Sequence, residues 1–461
     1  MRSAASLALL LAVPAAAQAP AEATPYQRAI AAGYKAAILC SGVFNAGRTE
    51  AQIEKDELRG IYPEYQALVT ALPAAIDRGL RSVDVAFAPD MPPRTAYWAS
   101  DAGCTLNPIG AQGTSVKEDV IDAGGTNPLP PTGPKRADPP SWPSGDGGIE
   151  PRPSPALTLA VSRAFDRATY GPRSETIGVV ILRDGKIVAE RYRDGFGPFT
   201  PNRTWSVAKS LAGAVVGVAQ AQRAIDVARL APVPEWREPN DPRAAITTDQ
   251  LLRMSSGLYS ASAGNRTDAI YFGGTAVTEE AVAWPLEVKP GARFRYANND
   301  TLLAIRGLRS ALGEDRYDGF PARELFRKIG MNHTVAERDW KGNYILSSQV
   351  WSTARDLARF GQFMLQDGVW QGRRLLPQGW MGESLKPLGP QPASGPGYGR
   401  TLWLFGPKQG LPAGSYAAQG NRGQYVMVIP SERLVVVRRG EDPGPARFDI
   451  AKFTADVIAA R

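Results

Sequence analysis

Ten prolines fall between Pro128 and Pro155, with Gly145, Gly147 and Gly148 among them. Proline has no backbone N–H and a locked φ, so a stretch this dense can hold neither a helix nor a central strand. It is expected to form a linker, or a strap laid over the surface, and it divides the chain. Residues 126–155 are read as that boundary. Before it lies an N-terminal accessory segment of about residues 18–125, which shows no constellation suggesting chemistry, and after it a larger domain of residues 156–461.

Composition narrows what the two parts can be. The 461 residues are 43% hydrophobic and 21% charged, enough for one large core or two and incompatible with a wholly disordered or fibrous chain. One His and two Cys exclude more, because a zinc site of His and Cys needs three or four such ligands close together. No metal-ligand cluster is visible, and neither a metal nor an organic cofactor is expected. The same count weakens any Ser-His-Asp triad, whose sole candidate base would be His333, in the loop-like run Gly330-Met331-Asn332-His333-Thr334. The net charge of +8 permits weak association with an anionic envelope, yet it is spread along the chain without long basic runs. Nucleic acid is not an implied partner.

The first residues combine Arg2, an apolar run from Ala4 to Val13, Pro14 and the small series Ala15-Ala16-Ala17. This pattern reads as a secretory signal peptide over residues 1–17, and its loss would lower the net charge from +8 to +7. The apolar run is too short to span a bilayer, and no other segment approaches the ~20 apolar residues a membrane helix needs. No cysteine sits at the cleavage site, which argues against a lipid anchor. A soluble periplasmic or secreted protein is expected. In an oxidising compartment two cysteines usually pair, so a Cys40–Cys104 disulfide is expected, with two buried thiols as the alternative.

Beyond the boundary, Leu157, Ala160, Val161, Ala164 and Phe165 recur at helical spacing. Thr176–Leu182 and Lys186–Tyr192 are β-rich runs joined through Arg183-Asp184-Gly185, a hairpin signal. Gln424–Ile429 and Leu434–Arg438 form a second such pair, and a helix-like run from Asp449 to Ala460 follows. Between the hairpins helix signals dominate, including a Thr247-x-x-Gln250 capping box on a helix ending near Gly257 and a start at Thr353-x-x-Asp356. The fold class is therefore α/β of the α+β kind, one antiparallel sheet flanked by terminal helices and carrying an inserted helical subdomain.

Chemistry begins at Thr204-Trp205-Ser206-Val207-Ala208-Lys209. On a helix starting at Ser206, Ser206 and Lys209 stand at i and i+3 and share one face. The continuation from Leu211 to Ala219 is apolar on every side, as expected of a helix buried within a domain, so Lys209 is carried into a low-dielectric region. Burial disfavours the charged amine, which can then take the Ser206 proton in place of a histidine. A serine at a helix start also sets backbone N–H groups where an oxyanion can form. Taken alone a Ser-x-x-Lys match is weak, since about one arises by chance in a chain this long.

Some distance on stands Arg295-Tyr296-Ala297-Asn298-Asn299. Ser-x-x-Lys followed by Tyr-Ala-Asn resembles the serine β-lactamase and penicillin-binding protein superfamily, in particular class C β-lactamases and their esterase and 6-aminohexanoate-dimer hydrolase relatives. Ile246 to Leu258 and Ser352 to Gly361 resemble further segments of such proteins, and the resemblance spans about residues 156–461. It implies a β-lactamase-like fold with Ser206 as nucleophile, Lys209 as its activator and Tyr296 as proton shuttle, while Asn298 would orient substrate.

The third motif of that superfamily, Lys-Thr-Gly or His-Thr-Gly, is replaced by Ala418-Gln419-Gly420. The cation is missing, which disfavours penicillins and cephalosporins and fits the esterase and amidase branch. Lys408-Gln409-Gly410 and Lys328-Ile329-Gly330 are poor substitutes, the first flanked by prolines and the second at a helix end. Arg422 could return positive charge, although a surface arginine is the better reading. Gly420 allows close backbone approach, and the Asn421 N–H is the candidate second oxyanion donor. These residues together predict an exported serine hydrolase acting on a small-molecule ester or amide. A β-lactam or D-alanyl peptide substrate is one rival, and a catalytically weak envelope-binding protein on the same fold is another. Oligomeric state and physiological substrate are not written in the pattern.

Overall fold

The computed structural model describes residues 23–112, 140–260 and 267–460. The expected signal peptide of residues 1–17 and most of the proline-rich stretch lie outside the described residues. What is described of that stretch behaves as a strap. Trp142 donates its indole N–H to Gly185 O at 2.8 Å and stacks under the Arg359 guanidinium at 4.3 Å.

The main sheet has seven strands in the order Gly397–Tyr398, Trp403–Leu404, Tyr416–Gly420, Gln424–Ile429, Leu434–Gly440, Thr176–Arg183, Lys186–Tyr192, each antiparallel to its neighbour. Both expected hairpins are present, and the strands nearest the two termini meet in the sheet through Leu434–Gly440 and Thr176–Arg183. Its central strands read as continuous apolar runs because both faces are covered. Val179, Ile181, Met427 and Val436 pack with Leu157, Val161, Phe453 and Val457 of the helices Pro155–Arg163 and Ile450–Ala459. Val180, Leu182, Val426, Val428 and Val435 belong to the larger core on the opposite face, with the helices Val207–Ala221 and Ala354–Leu365.

Helix starts follow their caps. Thr353 accepts from the Asp356 N–H, and Thr247 and Gln250 form the expected box on Thr248–Leu252. That helix is shorter than its pattern implied: the chain leaves it at Met254, whose φ is +59, rather than near Gly257.

The N-terminal segment is a small layered unit. Helix Pro25–Phe44, opened by a Thr24/Gln27 capping box with proline in its first turn, packs on a four-stranded antiparallel sheet spanning Ala74 to Leu106. Cys40 on the helix and Cys104 on the last strand are joined in a disulfide. Their separation of 64 residues gives a loop-closure contribution of about 4 kcal/mol in the chain-entropy picture. Replacing both cysteines by serine is expected to lower the urea midpoint of this unit markedly; an unchanged midpoint would show that helix and sheet hold without the bridge.

Candidate functional site

The strand Asn202–Arg203 pairs with Val350–Ser352, and the chain then turns through Trp205 at φ +50. A bulky side chain in that region is strained and persists only where its surroundings enforce it. Arg203 supplies part of that enforcement, its guanidinium lying 3.9 Å from the Trp205 ring centroid. Buried Arg439 supplies more, reaching from the main sheet to the carbonyls of Asn202 at 2.9 Å and Arg203 at 3.2 Å. Ser206 follows as N-cap of the helix Val207–Ala221 but makes no side-chain cap bond, so its hydroxyl is not spent on the helix end.

One turn along, Lys209 is 1% exposed. Its Nζ lies 2.9 Å from Ser206 Oγ and donates to Asn298 Oδ1 at 2.5 Å and to Ser347 O at 2.9 Å. Burial, aided by the nearby positive charge of Arg203, pulls its pKa down from 10.5 to about 7. The Tyr296 ring centroid sits 5.0 Å from Nζ, and the ring lines the cavity beside Ser206, whose side chain favours its ionised form. Burial outweighs that contribution and raises the tyrosine's pKa above its ordinary value, so the phenol stays protonated at neutral pH. Asn298 opens the helix Asn298–Leu312, and its amide nitrogen donates to Thr267 Oγ1 at 3.3 Å.

Ser206, Tyr296 and Asn298 line a cavity of about 550 Å³ together with Gln419, Gly420 and Asn421. The strand Tyr416–Gly420 forms one side, and Gly420 is required there. A Cβ at this position would lie 2.4 Å from Thr204 O and 3.1 Å from Ser206 N. Only a glycine lets the strand approach the serine turn so closely. Among the described residues, the backbone N–H groups of Ser206 and Asn421 have no hydrogen-bond acceptor, so both are available to an oxyanion.

Other residues singled out by the sequence take different roles, and Arg422 is itself among the cavity residues. Arg422 is not a surface arginine: it is 6% exposed, with Nε 2.8 Å from Glu441 Oε2. Its charge is met there, so it does not stand in as a free cation. Lys328 pairs with Glu324 at 2.6 Å, and Lys408 lies in the single turn Pro407–Gln409. His333 packs its ring 5.4 Å from that of Phe199 and is not among the cavity residues.

Sequence reasoning missed the Ser347 carbonyl, Tyr271 and Tyr62. A carbonyl acceptor carries no residue-type signal. Tyr271 acts through tertiary contact, its hydroxyl 2.5 Å from Ser347 Oγ. Tyr62 comes from the N-terminal segment yet lines the same cavity, with Trp205, Tyr271, Tyr296, Trp403 and Tyr425 as the other aromatic walls.

Residues 162–461 match the protein-family model Beta-lactamase. The chain is 28% identical over 302 residues to 6-aminohexanoate-dimer hydrolase of Paenarthrobacter ureafaciens, covering 59% of this chain and 74% of that protein. Among solved structures, a family VIII carboxylesterase aligns with TM-score 0.53 at 15% identity, over 68% of this chain and 98% of the other. A class C beta-lactamase aligns with TM-score 0.50 at 13% identity, over 66% and 95%. At such identities the structural likenesses establish the fold.

The burial of Lys209 leaves a signature in stability. Between pH about 7, where the folded amine titrates, and 10.5, where the unfolded one does, the unfolded chain binds the extra proton, so stability rises with pH. Lys209→Met removes this dependence. Its stability relative to the parent is expected to be greatest at pH 7 and below and to decline toward pH 10, read as paired urea midpoints; a constant difference would mean Lys209 is not held neutral.

Proposed function

The chain belongs to the Beta-lactamase family, a family of serine-hydrolase fold, and we propose that it hydrolyses a small-molecule ester or amide through an acyl-enzyme on Ser206. The observation that carries this reading is the set of partners around Lys209 Nζ. Two of the three, Asn298 Oδ1 and Ser347 O, can only accept, and they take two N–H bonds. The third is a hydroxyl. A neutral amine satisfied this way aims its lone pair at the Ser206 hydroxyl, and a pKa of about 7 makes that form abundant near neutrality.

In the proposed sequence Lys209 accepts the Ser206 proton as Oγ attacks the acyl carbon. The tetrahedral oxyanion is held by the N–H groups of Ser206 and Asn421. Tyr296, neutral and beside Ser206 in the cavity wall, relays the proton to the departing alcohol or amine as the acyl bond to it breaks. Water then attacks the acyl-enzyme, and its proton passes through the same pair to Ser206 Oγ as the Oγ–acyl bond breaks and the acid is released. Asn298 orients Lys209 and, from the cavity wall, the substrate. Ala418-Gln419-Gly420 offers no cation on the strand beside Ser206, which favours an ester or amide over a penicillin. The relative named for 6-aminohexanoate dimer supports the amide side of this choice. The signal-like N-terminus and the Cys40–Cys104 bridge support export to the periplasm or medium.

A fluorophosphonate probe is expected to add once, to Ser206, by intact mass and peptide mapping. Lys209→Ala should slow acylation by an activated ester by about 10²–10⁴-fold while the protein still folds. A folded parent that gives no adduct, or a Lys209→Ala protein at full rate, would sink the mechanism.

A further inference from the structure

The N-terminal segment lies wholly outside the matched region 162–461, yet it reaches the site at two points. The first is Tyr62 in the cavity wall, its ring held in a cluster with Tyr34 at 6.5 Å, Tyr65 at 6.4 Å and Phe272 at 6.4 Å. The second is the turn that carries Asn421. Strands Tyr416–Gly420 and Gln424–Ile429 pair up to Gly420 and Gln424, leaving Asn421-Arg422-Gly423 as a three-residue turn. Gly423 takes φ +77 without cost, but Arg422 holds φ +56, so the donor N–H of Asn421 rides on a turn with one strained residue.

The Arg422 side chain leaves this turn for the N-terminal segment. It donates from Nη1 to Arg59 O at 2.5 Å and from Nη2 to Asp56 O at 2.8 Å, while Nη2 also reaches Glu441 O at 3.2 Å. Its Nε faces Glu441 Oε2, and the carboxylate and guanidinium are both buried. A planar fork spread over two carbonyls of one segment and one carbonyl of another, with the Glu441 carboxylate close beside it, fixes direction in a way that a lysine ammonium cannot. The receiving loop is fixed in its turn. Gly60 O accepts from Gly444 N at 3.1 Å, and Gly60, at φ +66, sits where a Cβ would lie 2.8 Å from Pro443 Cα. Asp56 also pairs with Arg48 within the segment and with Arg193 across the same junction.

We infer that the N-terminal segment is part of the catalytic apparatus: through Arg422 its loop 56–60 clasps the turn bearing the Asn421 N–H and holds the second oxyanion donor in position. Arg422 is thus a positioning residue, acting on Asn421 through the backbone it shares with it. The inference rests on Ser206 as nucleophile, since an oxyanion arises there only if Oγ adds to a carbonyl. It also gives a physical role to the position where the superfamily's third motif leads into its turn: a clasp in place of a free cation.

An oxyanion donor acts in the transition state and not on the bound ester, so loosening it lowers kcat with little change in KM. The test compares the parent, Arg422→Gln and Gly60→Ala on a p-nitrophenyl ester, with rates divided by the number of Ser206 sites titrated by a fluorophosphonate. Counting sites removes any loss due to misfolded protein. Both variants are expected to lose about 10–100-fold in kcat per titrated site, with KM within about threefold, a fraction of the 10²–10³ seen when such a donor is removed outright. Gly60→Ala keeps Arg422 and disturbs only the loop that receives it, so a shared kcat loss locates the effect in the clasp. Parental kcat per site in both variants, whatever their melting temperatures, would overturn the inference and leave the contact as packing. Turnover that survives Ser206→Ala in the parent would overturn the Ser206 reading itself, and the clasp with it, a failure distinguishable from the first.

Discussion

A primary amine held 1% exposed is an expensive thing to fold around, and the region near Lys209 is arranged to meet that cost. Two carbonyl oxygens and one hydroxyl satisfy its hydrogen-bonding capacity, and a pKa near 7 lets it shed the charge that burial disfavours. Each acceptor comes from a different element. The helix Val207–Ala221 must be buried so that the amine is, the helix Asn298–Leu312 must begin beside it, and the Ser347 carbonyl must turn inward.

The same economy runs through the arginines. Arg422, Arg438 and Arg439 are nearly inaccessible, and each joins a segment of the site to the sheet or to the N-terminal unit. Arg438 pairs with Asp442 at 2.7 Å, which in turn accepts from Glu175 N at 2.7 Å. A guanidinium can bond several backbone carbonyls at once in a rigid plane, so it suits the joining of loops that have no ladder of their own. Cutting one such residue leaves its partners buried and unpaired, which makes these joints brittle as well as specific.

Much of the main domain was legible in one dimension. Hairpin signals at Asp184-Gly185 and around Pro430 placed four of the seven strands, and Thr353 and Thr247 marked true helix starts. The small edge strands Gly397–Tyr398 and Trp403–Leu404 carried no comparable signal, being two residues each and defined by their partner alone. Met254 shows the opposite failure: the helix was expected to run to near Gly257, and a positive φ at Met254 ended it sooner. Arg422 was misread because charge alone argues for the surface. Its burial depends on Glu441 and on carbonyls more than three hundred residues away in sequence.

By itself the sequence determined the chemistry-bearing residue types and their local setting. Ser206 and Lys209 share a helix face because they are three apart, and Lys209 is buried because the helix from Leu211 to Ala219 is apolar on every side. Tertiary structure decided everything that depends on distant segments meeting. It brought Tyr296 and Asn298 to the amine, set Gly420 against the Ser206 turn, and joined the loop before Tyr62 to Arg422. The reason is one of range. Helical period and capping act over three or four residues, whereas the reach of a guanidinium or the fit of a glycine against a carbonyl exists only after the chain has folded.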